Sequence, residues 1–329
     1  MFRKQVEIGF QLLAILAIML ISHAASAQDL SLRAVYNALS GVMAPIWLAQ
    51  DAGLFSKQGV TVDLKYLAAT TAVQGMVGGG EEVGLVGGQG IDAKLEGADL
   101  TYIASCLPVF VFQVYARSEI KSFADLRGKI VAVTQPAAST DYAMRIVLKR
   151  NGLEPDKDVK ILYAQDINGV LTSVSSGNAA AGIMSAPTSI RAKAVGLRSL
   201  VDVTSLKIPF LFTGVLSSPK IIREKNDALT RFLRGYVEAL AMIRKDKEST
   251  MRSLGKFLKT TDQAVLESVY DDYKDAFPLT PLMTVAEVKA VLDVVKSPKA
   301  KQMKPEEFFD NSIMQKIQAS GFIEQVNKR

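Results

Sequence analysis

LRAVYNALSGVMAPIWLAQDAGLFSKQGVTVDLKYL, residues 32–67, is where the fold can be read. Leu32, Ala34 and Tyr36 recur at alternate positions, as on one face of a strand, and Val60-Thr-Val-Asp-Leu-Lys-Tyr-Leu67 repeats the period of two. Between them, Pro45 fits the first turn of a helix that ends near Gly53, the usual asymmetry of helix ends. Outward from this strand–helix–strand unit, short apolar runs follow at 83–86, 100–104, 109–115, 129–134, 159–163 and 180–184. Helical stretches are expected between most of them, at 71–77, 91–96, 142–149, 170–175 and 188–195. Such alternation predicts an α/β fold of parallel-rich sheets flanked by helices. From about Pro219 the pattern becomes helical, over 226–245, 247–258, 261–273 and 285–295, with apolar residues three and four apart.

Two such blocks and a helical tail predict two lobes. Val109–Tyr115 reads as one long apolar strand, with Phe210–Leu216 its counterpart beyond the second block. The chain is expected to cross between lobes there, giving a first lobe from residues 28–115 and 212–329 and a second from 116–211. Paired crossovers can act as a hinge, and open α/β sheets bind ligands beyond the carboxyl ends of their strands. A cleft between the lobes is the predicted site.

The start of the chain reads as an address. Arg3 and Lys4 precede an apolar run from Leu12 to Ile21, and Ala25-Ser26-Ala27 supplies a small-x-small cleavage pattern. Ten apolar residues are too few for a bilayer core, which needs about 20. Residues 1–27 are therefore expected to be a signal peptide, leaving a soluble, exported chain from Gln28. No cysteine at that junction offers a lipid anchor.

Counting residue types excludes much chemistry. With 49% hydrophobic and 22% charged residues the chain is globular rather than disordered. The one histidine, His23, lies in the expected leader, so the mature chain has none for a nucleophilic triad or a metal. The one cysteine, Cys106, permits neither a disulfide framework nor a cysteine-ligated cluster, and reads as a buried small hydrophobe. No cofactor is expected. A net charge of +6, dispersed along the chain, gives no basic stripe for nucleic acid.

Four small, polar loops follow predicted strands and open helices: Ser40-Gly41-Val42-Met43-Ala44, Gly87-Gly88-Gln89-Gly90, Thr134-Gln135-Pro136-Ala137-Ala138-Ser139-Thr140, and Ser185-Ala186-Pro187-Thr188. Helix starts present free N–H groups and favour anions. The same residues also cap helices with no ligand present. Trp47 fits either the core or a cleft wall, and Phe110, Phe112 and Phe212 either pack the crossovers or face the cleft. Gly88-Gln-Gly-Ile-Asp-Ala93 matches a dinucleotide fingerprint, but no acid follows at the required distance. Glu81 and Glu82, adjacent and pointing apart, read as solvated.

Ala44-Pro-x-Trp-Leu-Ala-x-Asp-x-Gly-Leu-Phe-x-x-x-Gly-Val-x-Val62 and Ile120-Lys-Ser-Phe-Ala-Asp-Leu-Arg-Gly-Lys-Ile-Val-Ala-Val133 resemble the nitrate/sulfonate/taurine-type substrate-binding proteins of ABC importers. That family also includes binders of thiamine pyrimidine precursors. Leu148-Lys-Arg-Asn-Gly-Leu153, Lys157-Asp-Val159 and Arg231-Phe-Leu-Arg-Gly-Tyr236 continue the match, which spans residues 30 to 275. Where the family has an acid before two strands, this chain reads Gly80-Glu-Glu-Val-Gly84 and Asn178-Ala-Ala-Ala181.

The resemblance implies a type II periplasmic-binding-protein fold, a periplasmic location, a permease partner, no catalysis and a monomer. It places the ligand against Ser40–Ala44, Gly88–Gln89, Thr134–Thr140 and Ser185–Thr188, the loops picked out by helix starts. None contains Lys or Arg, which favours a small organic solute (a sulfonate, a carboxylate or an aromatic or pyrimidine compound) over a hard inorganic anion. Two other functions fit the same fold: a ligand sensor without transport, and a thiamine-pyrimidine synthase-like enzyme. The latter depends on a histidine that the mature chain lacks.

Overall fold

A computed structural model describes residues 30–328, so the expected signal peptide lies outside the described residues. Strand β1 (Ser31–Tyr36) leads through a 3-10 turn (Gly41–Met43) into α1 (Ala44–Asp51), a short α2 (Leu54–Lys57) and β2 (Thr61–Tyr66). Then come α3 (Ala69–Val77), β3 (Val83–Val86), α4 (Gln89–Leu95) and β4 (Thr101–Val109). The second block runs β5 (Gln113–Ala116), β6 (Ile130–Val133), α5 (Ser139–Arg150), β7 (Lys160–Tyr163), α6 (Ile167–Ser175), β8 (Ala181–Met184), α7 (Thr188–Ala194) and β9 (Arg198–Asp202). Strand β10 (Pro209–Ser217) precedes the helical tail: α8 (Pro219–Glu224), α9 (Asn226–Lys245), α10 (Lys247–Leu258), α11 (Gln263–Tyr273), α12 (Val285–Leu292), α13 (Ser312–Ala319) and α14 (Phe322–Lys328).

Two five-stranded sheets result, ordered β2-β1-β3-β10-β4 and β7-β6-β8-β5-β9. Each is parallel except for one strand: β10 runs antiparallel to β3 and β4, and β5 to β8 and β9. The reversed strand in each sheet is the one that has just arrived from the other lobe. It enters at the cleft end and must run back, so the mixed sheets are a consequence of two crossovers.

The crossovers sit earlier than the sequence predicts. Val109–Tyr115 is not one strand: β4 stops at Val109, Phe110–Phe112 passes between the lobes, and Gln113–Tyr115 already belongs to the second sheet. Phe210–Leu216 likewise lies inside β10 of the first sheet, so the return passage is Val203–Ile208. A single straight strand cannot serve two sheets, and the break is filled by buried rings. Phe110 stacks on Phe210 at 4.3 Å between centroids, and Phe112 meets Phe212 edge-on at 4.8 Å.

The tail thickens the first lobe. Helices α9 and α10 cover α1, with Trp47 stacked on Phe257 at 5.2 Å and Phe55 on Phe232 at 4.9 Å. The second lobe has a core around Tyr115, Ala132, Val170, Val174 and Met184. Glu82 is not solvated as expected. Folding buries it against Lys225 at 2.7 Å and Arg33 at 3.3 Å, because β3 lies inside the sheet.

Candidate functional site

Between the lobes lies a cleft of about 780 Å³, its open mouth included. The first lobe contributes Asn37–Ser40 and Val42 after β1, Tyr66, Ala68 and Ala69 after β2, Gln89 after β3, and Phe212 and Thr213 of β10. The second contributes Thr134, Gln135, Ala138, Ser139 and Thr140 after β6, Gln165–Asn168 after β7, and Ser185 after β8. Phe112 lines it from the crossover. The walls are thus the carboxyl ends of β1, β2, β3, β6, β7 and β8.

Of the residues picked out from sequence, Ser40, Val42, Gln89, Phe112, Thr134, Gln135, Ala138, Ser139, Thr140, Ser185 and Phe212 line this cleft. Gly41, Met43, Ala44, Trp47, Gly88, Pro187 and Thr188 are not among the lining residues. The 3-10 turn takes Met43 and Ala44 into the core, and Trp47 is fully buried. At Gly41 a Cβ would lie 2.5 Å from the Tyr273 ring, so this glycine lets α11 close over the loop. At Gly88 a Cβ would lie 2.7 Å from Tyr142, which reaches across from the second lobe. Pro187 follows a cis peptide bond, and Thr188 Oγ1 donates to Asn168 Oδ1 at 3.2 Å.

Several lining hydroxyls are committed to the opposite lobe. Ser185 Oγ donates to Ser40 Oγ at 3.1 Å, and Ser40 Oγ lies 3.3 Å from the Tyr273 hydroxyl. Burial pushes that phenol up to about 12. Ser139 Oγ donates to the Phe212 carbonyl at 2.7 Å. Tyr142 donates across the seam to Asp92, whose carboxyl burial raises to about 6.

Helix starts supply the remaining polarity. Neither Ala68, before α3, nor Ala138, before α5, has a side chain that caps its helix, whereas Asp166 caps α6 by accepting from Gly169 N at 2.8 Å. The α5 loop is held in a strained shape at Ala137, φ 58°, and Gln165 in the loop after β7, whose N donates to the Thr134 carbonyl at 2.9 Å, has φ 70°. Ala137 N donates to Asp141 Oδ2 at 3.1 Å, Arg145 Nε donates to Asp141 Oδ1 at 2.7 Å, and Arg145 also reaches Asp156 at 2.8 Å. Hydrogen bonds from Arg145 and Lys296 hold the Asp156 carboxyl down at about 2.

Asp166 is the one carboxylate among the lining residues, and no Lys or Arg lines the cleft among the described residues. Burial, then the Asp166 charge, raises the Tyr66 phenol. Gln89 Oε1 is buried without a partner among the described residues, an acceptor that a ligand donor could satisfy. Among the described residues no group of three or more His, Cys, Asp or Glu could hold a metal, and no helix is long and apolar enough to cross a membrane.

The family model described as NMT1/THI5 like matches residues 40–249. No curated protein matches the chain in sequence. A Bordetella bronchiseptica structure is similar at a TM-score of 0.77 and 17% identity, covering 89% of this chain and 98% of its own. The alkanesulfonate-binding protein SsuA of Xanthomonas axonopodis, bound to MOPS, is similar at a TM-score of 0.70 and 19% identity, over 86% of this chain and 97% of its own. The periplasmic nitrate-binding protein NrtA of Synechocystis is similar at 0.71 and 14% identity, over 89% of each chain. At these identities the likeness is one of fold.

Proposed function

The chain belongs to the NMT1/THI5-like family, and from that premise we propose that it is the substrate-binding protein of an ABC importer. A small organic solute with an acidic group enters the cleft, the lobes close around it, and the closed form is handed to a membrane permease. The leader at residues 1–27 would deliver the protein to the periplasm, where it works as a monomer. Solute can shift the open–closed balance only by binding the closed form better.

The observation that carries this reading is the cleft's lining: walls from both lobes, the start of α5 without a side-chain cap, and no basic side chain among the described residues. Helix starts contribute about 0.3–1 kcal/mol each toward an anion, which suits one acidic group on a body that packs on Phe112 and Phe212. A sulfonate is the first choice, since the Xanthomonas alkanesulfonate-binding protein shares the fold. Cysteine chemistry is disfavoured because burial pushes the Cys106 thiol up to about 12.

Thermal unfolding of residues 28–329 against sulfonates, carboxylates, pyrimidines, aromatic acids and inorganic anions tests the proposal. A solute at 100 times its dissociation constant adds about 2.7 kcal/mol of stability, a rise of several degrees. A response to inorganic anions alone would overturn the organic-solute reading. Silence across the panel from folded, ligand-free protein would count against solute capture of these classes.

A further inference from the structure

Helix α3 begins without a cap of its own. Ala68 precedes it, and a methyl group accepts no hydrogen bond. The cap comes from the other lobe: Gln135 Oε1 accepts from Thr70 N at 3.0 Å and from Thr70 Oγ1 at 3.0 Å. Gln135 is buried on the loop between β6 and α5, while Thr70 is in the first turn of α3 in the first lobe. One amide oxygen thus does across the cleft what Ser or Asp at position 68 would do locally.

Two of the other cross-lobe contacts at the cleft differ in kind. Ser185 with Ser40, and Ser139 with the Phe212 carbonyl, are pairings of a freely rotating hydroxyl. Gln135 instead places an acceptor at the positive end of a nine-residue helix, where the backbone N–H is fixed in direction. Parting the lobes therefore returns the first turn of α3 to water.

We propose that Gln135 is the latch of the cleft, a positioning residue that caps α3 from the opposite lobe and holds the lobes together, rather than a group that recognises the solute through its amide N–H. Its influence on solute affinity rests on the binding-cleft reading above; the latch itself does not.

The sign of one substitution separates the two roles. Gln135→Glu keeps an acceptor at the helix start and adds a negative charge, which the helix end favours. A latch survives that change, whereas an amide that donates to an acidic solute does not. Gln135→Ala removes the cap in either case.

Hydrogen–deuterium exchange of the peptide containing Thr70, with no ligand added, reads the latch directly. Wild-type protein and Gln135→Glu are expected to protect the Thr70 amide, and Gln135→Ala to lose about tenfold in protection, in line with the loss of a helix cap. Small-angle scattering should show a larger radius of gyration for Gln135→Ala only, with circular dichroism establishing that each variant is folded. An unprotected Thr70 amide in wild type, no change in Gln135→Ala, or Gln135→Glu behaving like Gln135→Ala would each overturn the latch. None of these outcomes depends on the solute panel, whose failure would overturn solute capture and leave the latch standing.

Discussion

The loops after β1 and β6 look alike in sequence and end in different places. Ser40–Ala44 and Thr134–Thr140 both follow a strand, are small and polar, and open a helix. In the first lobe, α11 closes over Gly41, while α9 and α10 cover α1, so Met43, Ala44 and Trp47 become core and only Ser40 and Val42 reach the cleft. In the second lobe, Thr134, Gln135, Ala138, Ser139 and Thr140 all line the cleft, and the loop rests on the Asp141–Arg145–Asp156 network. A strand-end loop is a candidate wall. Whether it becomes one depends on what covers it, here helices that arrive some 200 residues later in the chain.

The hardest test of that contrast is Trp47→Ala. Trp47 is fully buried, stacked on Phe257 and edge-on to Tyr36 at 5.7 Å. Its removal should cost about 3–5 kcal/mol, the range for a buried aromatic, read as a lower urea midpoint. A variant of near-normal stability that had lost only solute binding would make Trp47 a cleft wall and dissolve the distinction between the lobes.

The seam between the lobes gives the next effect. Burial is the chief cause of the Asp92 rise to about 6 from 3.8; the hydrogen bond from Tyr142 opposes it, while Glu96 at the end of the same helix and Asp141 beside Tyr142 add to it. The native carboxyl holds its proton more tightly than the unfolded chain does. Its contribution to stability is therefore most favourable below about pH 4, declines as the pH rises to about 6, and stays at its least favourable above that. The full swing is at most about 3 kcal/mol. Asp156, held at about 2, acts in the opposite sense but only below the ordinary carboxylate range. Asp92→Asn should still accept the Tyr142 hydroxyl, gain stability relative to wild type at pH 7–8, and flatten the slope between pH 4 and 6 in urea unfolding. Parallel curves for the two proteins would mean that the seam does not bury this carboxyl.

Much of the fold was readable because strand–helix alternation is a local signal. Helices α9 and α10 match their expected bounds, with Asp246 between them capping α10 by accepting from Ser249 N at 2.9 Å. The short edge strand β9, with no alternation, and the terminal helices α13 and α14 were not foreseen. Neither was the break at Phe110–Phe112, since an apolar run looks the same whether it serves one sheet or two. At the cleft, Tyr66, Ala68 and Ala69 after β2 and Gln165–Asn168 after β7 were missed although they also follow strands. The rule of looking beyond strand ends would have reached them, but Ala68 and Ala69 carry no polar signal. The missing cap at Ala68 makes sense only once Gln135 is seen opposite.

Tyr66 provides the gentlest test, at the opposite extreme from Trp47. It lies at the end of β2 on the cleft, 37% exposed, with its ring tilted against Tyr36 at 5.7 Å. More than a third of its surface stays in water whereas Trp47 keeps none, so Tyr66→Ala should cost less than Trp47→Ala, about 1–2 kcal/mol. If the cleft reading holds, the same substitution should shrink the thermal shift produced by any compound found in the solute panel. Wall and core are then told apart by different signatures: Trp47→Ala lowers stability by several kcal/mol, and Tyr66→Ala lowers the response to solute with a smaller loss of stability. A stability loss at Tyr66 as large as that at Trp47 would place both aromatics in one continuous core and leave Phe212 as the first lobe's aromatic side chain at the cleft.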